Sequence, residues 1–330
     1  MSTVVDAEPG LGGSARRRRS GTVVRNGLAV AVTVTMVVLL IHERAMLDAG
    51  SDSVARADLT WLALAATGTL GLWTAGTVSQ LGSVPVPLPF RRLFAVQVAA
   101  GFANHVLPAG CGGMAVNVRF LHRHGLSRAS AVGSVALNLL AGTVTHTALL
   151  VLAVLLAPAS LTAAYAHDGP AGPPASWPLL VAVGVPLAGV LVWAARRWGM
   201  RLLRHVREQL AVLGAVLRTP ARAAQLWLGS LAVPILHCLT LYAVLRSLGG
   251  TVPLVPLALA YLVASAVAAL LPSPGGFGAL DVTLVAGLVA VGAPATVALA
   301  TVLAYRLLTV WVPLLPGACM LAVLVRRRVI

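Results

Sequence analysis

The sequence contains no lysine, few charges and few cysteines, and each shortage excludes a class of protein. All 24 basic residues of the 330 are arginine, acidic residues number 9, and charged residues make up only 10%. Soluble domains average about 25% charged residues, so this composition, 58% of it hydrophobic, predicts a polytopic helical membrane protein. The three cysteines, Cys111, Cys238 and Cys319, are scattered through apolar stretches, which excludes a disulfide framework and a cysteine metal site.

Several catalytic motifs are also missing from the sequence. It has no phosphate-binding Walker loop, no GxSxG nucleophile motif and no HExxH zinc motif. We therefore expect no catalytic residue, no metal and no cofactor, and no ATP-driven pumping by this chain alone. The net charge of +15 does not indicate nucleic acid, because the arginines lie at the ends of apolar blocks. Anionic membrane lipids are the partner that we expect.

Apolar blocks long enough to cross a bilayer predict about six spans, given that roughly 20 residues cover a core of about 30 Å. They lie near 22–41, 59–83, 129–157, 178–195, 223–245 and 295–325. Two more apolar blocks, 93–118 and 253–292, are each interrupted by a glycine-proline break, at Leu107–Gly113 and Leu271–Gly278. Broken helices persist in a membrane only where protein or a water-filled cavity surrounds them. Paired breaks at corresponding places in two halves of a chain are typical of a transporter binding site.

Arginine placement predicts which ends are cytoplasmic. Residues 1–20 read as a disordered basic cytoplasmic tail that ends in Arg16 to Arg19, and residues 21–330 as one transmembrane domain. The rule also places the carboxyl terminus inside, at Arg326 to Arg328. Both broken blocks must then return to the face from which they start, as re-entrant or short helical hairpins that open to opposite faces. The sequence thus predicts an inverted repeat in an all-α, multi-pass membrane protein.

Two charged residues lie deep in apolar sequence, in the second half. Asp281 follows the second break by three residues, in the expected first turn of a helix, and Arg306 lies about 18 Å into the last span. A charge at that depth usually pairs or faces a cavity. Asp281 either stabilises its helix or binds a cation, a proton or a headgroup amine. Arg306 either pairs with Asp281 or binds a lipid phosphate.

Polar residues also flank the first break. The flanking residues are Asn104, His105, Asn117 and Arg119. The backbone N–H groups of Gly110 to Gly113 are candidate hydrogen-bond donors to an anion. The span 129–157 carries Ser134, Asn138, Gly142 and Thr145 on one helical stripe, which favours helix packing over a polar pathway. We interpret His146 and His237 as hydrogen-bonded packing residues. The segment 196–218 has the pattern of an amphipathic surface helix or an ordinary basic loop.

These motifs resemble a known family. Three stretches in the second half resemble the carboxyl-terminal signature of the lysylphosphatidylglycerol synthetase transmembrane (flippase) domain family. They are Pro274 to Asp281, Gly292-Ala-Pro294, and Tyr305-Arg306 as far as Gly317. The stretch from Asn104 to Gly113 resembles its amino-terminal counterpart. The family usually has Glu where this chain has Asp281.

The resemblance implies a multi-pass helical bundle of the plasma (inner) membrane that moves phospholipids, such as aminoacylated phosphatidylglycerol, between leaflets. It implies two halves of a substrate site. The first half would contain Pro108, Gly112 and Gly113, and the second Pro274, Gly275, Gly276, Gly278, Asp281 and Arg306. Because no aminoacyltransferase domain is present in these 330 residues, we expect a stand-alone flippase-like member. Its expected protein partner is a second copy or a separate lipid-modifying enzyme.

Two other functions stay open at this point. One is an ion-coupled small-solute transporter that uses Asp281 as its coupling site. The other is a polyprenyl-phosphate-dependent glycosyltransferase, whose acid would come from the first outer loop at Glu43 or Asp48.

Overall fold

The described parts of the chain are helical. The computed structural model describes residues 57–106, 111–165, 218–270, 279–327 and 329–330, with a number of positions between 178 and 214. The predicted tail 1–20, the span 22–41, most of 178–195 and most of 196–218 lie outside the described residues. The helices are α1 Leu59–Gly82, α2 Phe90–Val106, α3 Cys111–Arg123, α4 Arg128–Tyr165, α5 Pro220–Ser247, α6 Leu254–Leu270, α7 Ala279–Ala290, α8 Ala295–Arg306 and α9 Val312–Arg326. A π-helical turn, Leu307–Trp311, joins α8 to α9.

Three of these helical segments are long and apolar enough to cross a membrane. They are Arg128–Ala157 of α4, with 30 residues, Pro220–Ser247, with 28, and the continuous stretch Ala295–Arg326, with 32. At 1.5 Å per residue each exceeds a hydrocarbon core of about 30 Å. These segments confirm the predicted apolar helices at 129–157, 223–245 and 295–325. Helix α1 covers the predicted block 59–83 and has the length of a span, 24 residues, but it is not among the three segments that are also apolar enough.

Helices α1 and α5 pack against each other in antiparallel directions. Gly68 near the start of α1 faces Thr240 near the end of α5, whereas Gly82 at the end of α1 faces Leu226 near the start of α5. A Cβ atom on Gly82 would lie 2.2 Å from the backbone nitrogen of Leu226, and one on Gly229 would lie 2.4 Å from that of Ser79. Such small residues let two membrane helices approach closely. The glycines therefore fix the central contact of the fold.

Each glycine-proline break lies within a helical hairpin. In the first hairpin, α2 and α3 are antiparallel, with Gly112 against Ala103 and Asn117 bonded to Gln97. In the second, α6 and α7 are antiparallel, with Gly287 against Ala260. The four arms have 17, 13, 17 and 12 residues, or about 18 to 26 Å at 1.5 Å per residue. Each arm is thus shorter than a full span, as the sequence predicts.

The described helices fall into two halves with a similar order of elements. Each half consists of a long helix, a hairpin and a second long helix, and the first helices of the two halves, α1 and α5, run in opposite directions. The packing between halves is reciprocal. Helix α2 contacts α9, where a Cβ on Gly317 would lie 2.7 Å from Phe102, and α6 contacts α4 through His146 and Leu262. The inverted repeat itself stays a prediction.

Charge is distributed unequally between the two ends of the described bundle. The end that holds Val84, Leu126 and Leu324 also holds the open end of the first hairpin. Arginines at helix termini of that end are Arg91, Arg92, Arg123, Arg128, Arg218, Arg222, Arg326 and Arg327. The opposite end holds the open end of the second hairpin, and its described helix termini carry Asp58 and Arg246. The positive-inside rule assigns the arginine-rich end to the cytoplasm, and this orientation stays a prediction.

Candidate functional site

The first hairpin is held together by side-chain amides. The backbone N–H of Gly113 donates to Oδ1 of Asn104 at 2.7 Å. Asn117 donates from Nδ2 to the carbonyl of Gly113 at 2.9 Å, and Gln97 donates from Nε2 to Oδ1 of Asn117 at 3.0 Å. These bonds satisfy polar groups that have no water in a bilayer core. The amide of Gly113, expected to bind an anion, is thus bonded to Asn104.

Close packing explains the two described glycines of the first break. A Cβ atom on Gly112 would lie 1.9 Å from the carbonyl oxygen of Ala103, and one on Gly113 would lie 2.6 Å from Oδ1 of Asn104. Arg119 is exposed, whereas Asn117, two residues earlier on α3, is buried. Because residues two apart do not share a helix face, Arg119 lies away from the amide network. Pro108 lies outside the described residues.

In the second hairpin, Asp281 and Arg306 form an ion pair between α7 and α8. Nε of Arg306 lies 2.6 Å from Oδ1 of Asp281, and Nη2 lies 3.3 Å from Oδ2. The side chains are 7% and 19% exposed, and the pair combines a close Nε contact with a hydrogen bond that Nη2 donates to Oδ2. Asp281 lies in the first turn of α7, as predicted. The pairing predicted from the two deep charges is confirmed. Pro274, Gly275, Gly276 and Gly278 lie outside the described residues.

The helix changes its hydrogen-bond pattern directly after Arg306. Residues Leu307–Trp311 form a π-helical turn, and Pro313 follows at the start of α9. Proline removes one backbone donor and crowds the carbonyl four residues earlier, which the wider turn relieves. The hydroxyl of Thr309 donates to the carbonyl of Tyr305 at 2.8 Å. Such turns are frequent at functional sites, and this one lies beside the ion pair.

A cavity of about 610 Å³ lies where the two halves meet. Both halves contribute to its wall, through α1, α2 and α4 from the first and α5 and α6 from the second. Its polar lining residues are Ser79, Asn104, Asn138, Thr143, His146, Ser230, His237, Tyr261 and Ser265. Two glycines, Gly76 and Gly142, also line it, and a Cβ atom on either would meet no heavy atom within 4 Å. The cavity thus combines neutral polar groups with open space.

Hydrogen bonds on one side of the cavity connect three helices. The hydroxyl oxygens of Ser79 on α1 and Ser230 on α5 lie 2.7 Å apart. Ser79 also donates to Oδ1 of Asn138 on α4, and Asn138 donates from Nδ2 to Oε1 of Gln80 at 3.2 Å. Buried groups that are mutually bonded hold a fixed geometry, so this side of the wall is organised by its own polar groups.

Two histidines occupy the other side. Nε2 of His146 lies 3.2 Å from the carbonyl oxygen of Leu262 and 3.4 Å from the hydroxyl of Ser265. Nδ1 of His237 lies 2.7 Å from the hydroxyl of Tyr305, and its ring stacks on Tyr261 with centroids 5.5 Å apart. Both histidines are hydrogen-bonded, as the sequence predicts. Both also line the cavity.

Sequence reasoning found part of this cavity. Asn104, Asn138 and Gly142, which it singled out, line the wall, whereas Asp281, Arg306 and Arg119 do not belong to the lining. From the same stripe of α4, Thr145 is buried and bonded to the carbonyl of Ser230 at 3.2 Å, so it serves packing. The missed lining residues were Ser79, Thr143, Ser230, Tyr261 and Ser265. In the sequence, these residues could have been recognised as isolated polar residues within apolar helices.

The family of the chain can now be stated. The profile of the family described as the lysylphosphatidylglycerol synthase TM region matches residues 26–317. The chain belongs to this family. Membership agrees with the apolar helices and makes the chain a membrane-embedded protein with a lipid-related, flippase-like function. No curated protein is significantly similar to the chain.

Proposed function

We propose that the chain moves anionic or aminoacylated phospholipid between the two leaflets of the plasma membrane, with the headgroup passing through the central cavity. The observation that carries this proposal is the cavity itself, about 610 Å³ in volume and walled by helices from both halves of the described chain. Transporters with inverted repeats bind their substrates at the interface between the repeats. The function includes no chemical step, and membrane lipids are the partners.

The size and lining of the cavity suit a lipid headgroup. Sites for small ligands have volumes of about 300–1,000 Å³ and a few well-placed polar groups. The polar wall offers hydroxyl, amide and imidazole groups to phosphate and glycerol oxygens, from residues such as Asn138, Ser230 and His146. A lipid needs such groups only around its head, because its tails stay in the hydrocarbon.

An apolar groove adjoins the cavity and suits the tails. It has a volume of about 200 Å³ and lies along the same three helices, α4, α5 and α6. Leu149 of the groove is one turn beyond His146 of the cavity on α4, and the carbonyl oxygen of Leu262, a groove residue, lies 3.2 Å from Nε2 of His146. A phospholipid with its head in the cavity can thus keep an acyl chain against the groove.

The ion pair has a positioning role in this proposal. Arg306 is adjacent to Tyr305, whose hydroxyl bonds to His237 on the cavity wall. The pair with Asp281 fixes α7 to α8 and so sets the place of that contact. The phosphate clamp that the sequence suggested for Arg306 would first require the pair to separate.

Leaflet translocation in proteoliposomes tests the function. Fluorescent phosphatidylglycerol is reconstituted in both leaflets, and an impermeant quencher reports the fraction that reaches the outside. We expect the wild type to expose the inner pool and Gly142→Phe to lose this activity at least tenfold, because the ring fills open cavity space. Gly189→Phe is the matched control, since Gly189 is an exposed helical glycine that also has no heavy atom near its Cβ position. A wild type that moves no phospholipid, or equal activity of the two variants, would refute the proposal.

A further inference from the structure

The cavity wall has no permanent charge among its described residues. Its titratable lining groups are His146, His237 and Tyr261, and the remaining polar lining groups are neutral hydroxyls and amides. An anion in a poorly solvated site is costly unless a cation accompanies it. An anionic headgroup in this cavity therefore needs a positive charge that the resting wall does not supply.

Arg306 does not meet this need in the observed arrangement. Its guanidinium contacts both carboxylate oxygens of Asp281, at 2.6 and 3.3 Å, so the pair is neutral overall. Separating a buried pair leaves two charges uncompensated. A cation that arrives with the headgroup avoids that cost.

His146 is built to accept a proton without losing its present contact. A carbonyl oxygen only accepts, so the contact with Leu262 places the hydrogen of the neutral ring on Nε2. Nδ1 of the same ring then has a lone pair. Proton uptake at Nδ1 leaves the Nε2 bond in place and turns the ring into a cation on the cavity wall.

The groups around the two histidines give His146 this role rather than His237. His237 is bonded to Tyr305 of α8, stacks on Tyr261 of α6, and lies within electrostatic range of Arg306 of α8. His146 of α4 contacts Leu262 and Ser265 of α6, which are uncharged, and His237 of α5 is its titratable neighbour. Helices α1 and α2 contribute neutral lining groups, among them Ser79 and Asn104, and on α7 Asp281 is paired with Arg306.

We propose that lipid movement through this cavity is coupled to protons, with His146 taking up one proton for each anionic headgroup. The inference rests on the proposed function and deepens it. The proton comes from water on the side where the headgroup enters, binds the Nδ1 lone pair, and returns to water when the headgroup leaves. The phosphodiester keeps its single negative charge and the imidazolium carries one positive charge, so the complex crosses without net charge.

Coupling of this kind has a quantitative consequence. With one proton per lipid and no net charge moved, a gradient of one pH unit drives the phosphatidylglycerol ratio between leaflets to about ten, since a tenfold proton ratio is worth about 1.4 kcal/mol. The lipid accumulates in the leaflet that faces the alkaline side. An imposed membrane potential leaves the ratio unchanged.

The experiment compares lipids and variants in proteoliposomes with an imposed pH gradient. Wild type is expected to accumulate fluorescent phosphatidylglycerol about tenfold per pH unit, and to leave zwitterionic phosphatidylethanolamine evenly distributed. His146→Gln keeps an N–H donor for Leu262 but has no basic nitrogen, so the phosphatidylglycerol ratio should stay near one. His124→Gln is the matched control, because His124 lies in the turn directly after α3, with Nδ1 against the carbonyl of Phe120, and does not line the cavity.

Each outcome has one meaning. Wild type that moves phosphatidylglycerol without responding to the gradient overturns the coupling and leaves the function standing. Accumulation that persists in His146→Gln overturns the assignment to His146. Wild type that moves no lipid overturns the proposed function and the coupling together. The wild-type comparison of the two lipids decides the coupling even where a variant fails to fold.

Discussion

Removal of one partner from the Asp281–Arg306 pair should destabilise the protein strongly, and removal of both should not. The pair is 19% and 7% exposed and joined by two contacts, so each single change leaves a largely buried charge without its partner. Breaking a buried pair in this way costs about 3–5 kcal/mol, whereas apolar replacement of both partners is often neutral or stabilising. We expect Arg306→Met and Asp281→Leu each to lose about 3–5 kcal/mol of unfolding free energy and the double variant to lie near the wild type.

Unfolding by denaturant in mixed micelles, followed by circular dichroism, measures the four proteins of this double-mutant cycle. The positioning role also predicts that the double variant still translocates lipid. Additive losses in the double variant would refute the argument that the pair is neutralised as a unit. A stable double variant that moves no lipid would instead show that at least one of the two charged groups is needed for transport itself.

Two further predictions concern the hairpin and the orientation of the chain. Gly112→Ala should lower the free energy of unfolding by about 1–3 kcal/mol, because its methyl group would lie 1.9 Å from the carbonyl oxygen of Ala103. Gly142→Ala places its methyl group in open space and should cost less than about 1 kcal/mol. Denaturant unfolding of the two variants measures both values. A cysteine at Arg246 should react with an impermeant thiol reagent added outside cells, and one at Arg123 should react only after permeabilisation; the reverse pattern would contradict the inferred orientation.

The hairpins and the ion pair could be predicted from the sequence because an unpaired charge or an unpaired backbone group is costly anywhere in a membrane. Arginine clusters on both sides of the block 93–118 required it to return, and the antiparallel contact of Gly112 with Ala103 shows that it does. The two deep charges had to be compensated in a membrane, and Asp281 and Arg306 compensate each other. Such predictions need no knowledge of which helix faces which.

The cavity could not be predicted in this way, because its lining depends on which helix faces face each other. Ser79 and Ser230 lie 151 residues apart, and only the antiparallel register of α1 and α5 brings their hydroxyls within 2.7 Å. The first-break amide of Gly113 was expected to face an anion, but the nearby Asn104 side chain accepts its hydrogen. Glycine and asparagine near a break are compatible with both arrangements, so composition alone does not distinguish a binding site from a packed hairpin.

The central claim, that a lipid headgroup occupies the cavity, is tested most directly by photocrosslinking. A phosphatidylglycerol with a photoreactive group on its headgroup is reconstituted with the protein and irradiated, and the labelled peptides are mapped by mass spectrometry. The account predicts labels within residues 138–146 and 230–237, which line the cavity, and loss of these labels in Gly142→Phe. Labels confined to the lipid-facing surface of α9, and unaffected by Gly142→Phe, would contradict it.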